Sequence, residues 1–114
     1  VNDREQVLQA PLPTRLVRLA ANLQRIAWLT EKPDSVAITK LLRECLQSIE
    51  WSAPELSPDR VNDAAYLVDV QRALMHWEQV WDSAQHDPAQ RMKLAEEARE
   101  WSVEILYISG LVDE

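Results

Sequence analysis

Residues Pro58 to Gln85, PDRVNDAAYLVDVQRALMHWEQVWDSAQ, contain no glycine and no proline after the first position. The stretch reads as one helix over 58–85, about 42 Å long at ~1.5 Å per residue. It is the longest helix that the sequence offers, so the others are expected to pack along it. On a helical wheel its apolar residues form two stripes. Tyr66, Leu67, Val70, Leu74, Trp77 and Trp81 are spaced alternately by three and four, as in a seam facing another helix. Val61, Ala64, Val68 and Met75 form a second stripe. Gln71, Glu78 and Gln85 lie between the two, either as a polar seam inside the bundle or, the favoured reading, facing water.

Outward from this helix, composition narrows the possibilities. A chain of 114 residues is one domain. Its single glycine argues against β turns and for helices joined at proline-marked corners. One cysteine, Cys45, excludes an internal disulfide and suits a reducing cytosol, so a cytoplasmic protein is expected. No apolar run approaches the ~18 residues of a membrane span, so no membrane partner is expected. The stretch VNDREQVLQAPLP lacks a basic region followed by an apolar one, and no signal peptide is expected. A net charge of −7 disfavours nucleic acid, whose phosphates repel an acidic surface. The charge is uneven. Residues 1–32 carry five basic and three acidic side chains, whereas residues 87–114 carry three basic and seven acidic ones.

The remaining helices follow in order. Residues 2–10 suit a short helical arm ended by Pro11. A helix over 13–31 starts with Pro13 in its first turn, where a missing N–H costs nothing. Its core face is Leu16, Leu19, Ala20, Leu23, Ile26 and Ala27. Arg15, Arg18 and Arg25 form a basic edge, and Val17, Ala21 and Trp28 a third stripe away from both. Asp34 reads as the N-cap of a helix over 34–51, with Ile38, Leu41, Leu42, Cys45, Leu46 and Ile49 as its core face. The six residues SAPELS (52–57) form the next corner, and Ser57-Pro58 opens the long helix. Asp87-Pro88 caps a last helix over 88–109, with Gln90 placed for a capping box. The short corner between the last two helices predicts an antiparallel hairpin, with Trp77, Trp81 and Trp101 in one cluster. Leu94, Ala98, Trp101, Ile105 and Ile108 are its core face. Gly110 closes it in the left-handed region, with Leu111 folding back. The expected architecture is all-α, an up-down-up-down four-helix bundle.

Chemistry is sparse. Glu96, Glu97 and Glu100, in LAEEAREWSVEIL, have the spacing EExxE. On a helix Glu96 and Glu100 point the same way, and such carboxylates hold Mg²⁺ through oxygen ligands. The stretch resembles the metal-binding helix of the all-α nucleoside triphosphate pyrophosphohydrolases, over about a dozen residues. That resemblance implies an oligomeric, Mg²⁺-dependent enzyme with these three glutamates as ligands. The family also carries a second acidic pair, spaced ExxD. The aligned positions here are Gly110 and Asp113. The wheel places Glu96, Glu100 and Glu104 opposite the Leu94–Trp101–Ile105 seam, as a solvated acidic face.

His76 is expected on the surface and His86 at a helix end. Histidine phosphotransfer domains carry an apolar residue, Lys and Gly after their histidine, but WEQV follows His76. Cys45 reads as a buried small hydrophobe. Trp28 has two readings: it anchors a contact face with Val17 and Ala21, or another segment of the chain covers it. The favoured function is non-enzymatic contact with another protein or with itself, as a homodimer or an adaptor. The interface would use Val17, Ala21 and Trp28 with Arg15, Arg18 and Arg25. The alternative is Mg²⁺ chemistry at Glu96, Glu97 and Glu100.

Overall fold

The computed structural model describes residue 5 and residues 9–31, 35–56 and 58–111. Four helices account for most of them: α1 (Leu12–Leu29), α2 (Ser35–Leu56), α3 (Val61–Ala84) and α4 (Pro88–Ser109). They form the expected bundle. The arm expected over 2–10 and the cap expected at Asp34 fall largely outside the described residues.

The bundle is built from two close pairs, α1 with α4 and α2 with α3, joined chiefly through α1 and α2. The body measures 41 × 36 × 20 Å. Its thin direction is two helices deep, since one helix with side chains is ~10 Å across. The α1–α4 pair is the most extensive for a reason visible in its residues. Ala20 and Ala27 on α1, and Ala95, Ser102 and Ser109 on α4, recur every seventh position and are all buried. Small side chains at the contact let helix axes come close. The Ser102 hydroxyl confirms the register, donating to the Ala20 carbonyl at 2.8 Å. Although only a short corner joins α3 to α4, these two share a much thinner contact.

The predicted core faces are buried almost in full. Every one of the six residues expected on α1 lies inside, as do Leu67, Val70, Leu74, Trp77 and Trp81 on α3. Trp77, Trp81 and Trp101 belong to one continuous apolar cluster. Burying a large apolar side chain stabilises by about 1.5–3 kcal/mol, so this cluster is the main reason the chain folds. The second stripe of α3 is different. Val61 and Met75 are exposed, and Ala64 and Val68 half-buried, so among the described residues no second neighbour covers it in full. Gln71, Glu78 and Gln85 are half-buried rather than solvated, and Glu78 reaches Arg43 of α2 at 3.6 Å.

The largest departure lies between α2 and α3. Helix α2 does not end near Trp51 but runs through Pro54 to Leu56. An interior proline removes a donor and crowds the preceding turn. Ser52, Ala53 and Leu56 are nonetheless buried, and that packing holds the helix past it. The reversal is pushed to residues 58–60, and α3 starts at Val61, with 24 residues instead of 28. It exceeds α2 and α4, at 22 residues each, by half a turn. Arg60 takes the N-cap position without capping through its side chain. Instead its guanidinium reaches Asp63 and donates to the Ile108 carbonyl, tying the start of α3 to the end of α4.

At the other end, Asp87 caps α4 by accepting from the Ala89 N–H at 2.9 Å. The reciprocal bond from Gln90 is not made, because the Asp87 N–H already donates to the Ala84 carbonyl. Arg91 closes the corner by donating to the Gln85 carbonyl at 2.7 Å. Gly110 sits at φ 76°, the left-handed region that favours glycine. Leu111 does not fold back; it is exposed, and its N–H donates to the Ser109 hydroxyl at 3.1 Å.

Candidate functional site

Helix α1 has a wider apolar arc than one side of a bundle needs, and the structure sorts it. The core face turns inward, while the Val17–Ala21–Trp28 stripe turns away from it. Val17 is half-buried and Ala21 exposed. Trp28 is 70% exposed, so no described segment of the chain covers it. Of the two readings open for Trp28, packing beneath another element is thereby set aside for the described residues. Arg18 and Arg25 flank the stripe and are exposed.

Arg15 does not belong with them. It is 3% exposed and pairs with Glu55 of α2. Its Nε and Nη1 have no hydrogen-bond partner among the described residues. The wheel places Arg15 between the core face and the arginine edge, and the extended α2 brings a carboxylate to it. A surface role for Arg15 is therefore corrected to an internal one.

Helix α4 carries its own outward stripe, which the reading of its acidic face passed over. Met92, Val103 and Tyr107 are exposed large apolar residues, at 63%, 45% and 36%. The signal was available in the spacing 92, 103, 107, which a wheel puts opposite the buried Leu94–Trp101–Ile105 seam. Met92 also lines a cleft of about 440 Å³ between the end of α1 and the start of α4, with Thr30, Glu31, Arg91, Glu96 and Arg99 around it. Arg99 and Glu31 face each other across this cleft at 3.9 Å.

The acidic residues of α4 do not converge. Glu96 and Glu100 are exposed, and Glu97 is half-buried with Oε2 unpartnered among the described residues. Among those residues no group of three or more His, Cys, Asp or Glu side chains is placed to hold a metal ion. Glu100 and Glu104 lie near Tyr66 of α3. Burial first, then the negative charges of Glu104 and Glu100, push its phenol up to about 12.

A smaller cleft of about 230 Å³ gathers His76, Ser83 and Asp87. They are not a catalytic set. His76 and Ser83 are seven residues apart on one helix, about 10 Å along its axis. Asp87 is engaged as a cap. His76 is exposed and lies edge-on to Trp77, with ring centroids 6.0 Å apart. Cys45 is fully buried, and burial, with a smaller contribution from Glu44, raises its thiol to about 12. Such a thiol is neither nucleophile nor metal ligand at neutral pH. No helix of the described residues is long and apolar enough to cross a membrane. Comparison with protein-family models, with curated proteins and with solved structures finds no match to this chain.

Proposed function

We propose that this chain works by contact with a protein partner, through the outward face of α1. The exposure of Trp28 carries the reading. A tryptophan left in water forgoes the large burial free energy of its ring, and tryptophan is among the residues most enriched at binding hot spots. Val17 and Ala21 extend the apolar surface, and Arg18 and Arg25 border it with positive charge. On a chain of net charge −7 this is a local exception. It favours an acidic protein surface as partner, because charge complementarity speeds encounter and fixes orientation. A cytosolic setting belongs to the same proposal and rests on the lone buried thiol.

A photo-crosslinking amino acid at position 28, compared with the exposed position 36 on α2, tests the reading in cells of the source organism. The expected result is a discrete adduct from position 28 and none from position 36. A chain that gives no adduct from position 28 overturns the proposal.

A further inference from the structure

We infer that the partner is a second copy of this chain, docked face to face through the α1–α4 layer about a two-fold axis parallel to the helices. This inference rests on the contact reading above and names its partner.

The argument starts from register. Helices α1 and α4 are antiparallel, and the Ser102–Ala20 hydrogen bond fixes their relative height. Counting from it, Arg18 is level with Glu104, and Arg25 lies about one turn from Glu100. Trp28 lies between the levels of Met92 and Ala95. The wheel then gives directions. On α1, Trp28 points a quarter turn away from the side that meets α4, straight out of the layer, and Arg18 and Arg25 lie further round, on the edge remote from α4. On α4, Met92 and Val103 point out of the layer, and Glu100 and Glu104 lie on the edge remote from α1. All seven of these residues, Arg18, Arg25, Trp28, Met92, Glu100, Val103 and Glu104, are exposed. The outer face therefore has an apolar middle interrupted by the exposed Glu96, a basic edge, and an edge on which Glu100 and Glu104 flank the exposed Lys93.

A two-fold axis parallel to the helices lays this face on a copy of itself with the edges exchanged and the heights kept. Trp28 meets the apolar middle of the copy near Met92. Arg18 and Arg25 lie opposite Glu104 and Glu100 of the copy, and the reverse pairs form at the other edge. One operation thus satisfies the hydrophobic and the charged parts together, as an isologous interface requires. An apolar centre inside a charged rim is also the usual anatomy of protein interfaces. Four of the eight exposed large apolar residues of the described chain, Trp28, Met92, Val103 and Tyr107, lie on this one face. The face is roughly 27 Å long, the length of α1, and two helices wide. That is the small end of stable interfaces, so the dimer is expected to dissociate on dilution and in high salt.

Charge exchange tests the pairing. Sedimentation measures self-association of the wild type, of Arg18→Glu/Arg25→Glu, of Glu100→Arg/Glu104→Arg, and of the two variants mixed in equal amounts, with circular dichroism confirming that each is folded. The expected results are a wild-type dimer, at least a tenfold loss of self-affinity in either variant, and restored dimer in the mixture, where every pair is again opposite in sign. Trp28→Glu abolishes association without touching either charged edge. A wild type that stays monomeric, a dimer indifferent to all three variants, or a mixture that remains monomeric overturns the inference. A monomeric chain whose position-28 adduct contains a different protein overturns the second copy alone and leaves the contact reading standing. A monomer with no adduct removes both.

Discussion

The guanidinium of Arg15, buried in the first turn of α1, is held by Glu55, a residue that stands just beyond the proline inside α2. The two depend on each other. Glu55 reaches Arg15 because α2 continues past Pro54, and Arg15 lies inside because the end of α2 covers it. The pair is lopsided, with Arg15 3% and Glu55 46% exposed. Two of the three guanidinium nitrogens have no partner among the described residues.

That asymmetry predicts unequal mutants. Glu55→Ala leaves a buried charge without its counter-ion and should cost about 1–3 kcal/mol. Arg15→Met, of similar length and apolar, removes the charge with its desolvation cost and should cost less than ~1 kcal/mol or stabilise. Urea unfolding of both variants compares the midpoints. The account fails if Arg15→Met is the more destabilised of the two.

Pro54 gives a second test. Its ring is exposed, so replacing it forfeits no core packing. Pro54→Ala restores a donor for the Glu50 carbonyl and relieves the crowded turn, against the ~0.4–1 kcal/mol by which proline restricts the unfolded chain. A net gain of about 2 kcal/mol is expected, since an interior helical proline costs ~3 kcal/mol. A melting temperature that falls on substitution would show that the proline fits the helix end as it stands.

These residues also mark where the sequence was legible. The apolar seams of all four helices were readable because period and burial agree there: Leu67, Leu74 and Trp81 could face only a neighbour. Asp87, Pro88 and Gly110 were readable because local chemistry decides helix ends. Pro54 was misread for the opposite reason. Local preference said corner, and burial of Ala53 and Leu56, set by other helices, outweighed it. Arg15 followed from that error, since a shorter α2 would have left it in water. The contact face was half legible. Trp28 stands out as an apolar residue off its seam, whereas Met92 and Val103 are interleaved with exposed charged residues that break up their stripe.

The five tryptophans separate by location. Trp28→Ala should change stability by less than ~0.5 kcal/mol, as an exposed position does. Trp77→Ala, 2% exposed in the wild type and central to the core, should cost about 3–5 kcal/mol. Chemical denaturation measures both, at a concentration low enough to keep association out of the balance. A large loss at position 28 under those conditions would mean that its side chain supports the fold itself.

Alkaline pH should unfold this protein early. Cys45 and Tyr66 both hold their protons more tightly when folded, at about 12 against ordinary values of 9.0 and 10.0. Above pH 9 the unfolded chain begins to release the Cys45 proton while the folded chain keeps it. The folded state then binds more protons, and stability falls as pH rises. The contribution is complete below pH 9 and is lost progressively up to about 12, with Tyr66 adding its part from pH 10 upward. Cys45→Ala should be less stable at pH 7, through the smaller buried side chain, yet should lose less stability between pH 9 and 10. Melting temperatures from pH 7 to 11 for both proteins give the two slopes. The thiol supplies an independent reading: in the native protein at pH 8 it should resist a disulfide reagent and react at once when urea is added. Prompt native reaction at pH 8 would place Cys45 within reach of solvent and remove the physical basis for its raised value.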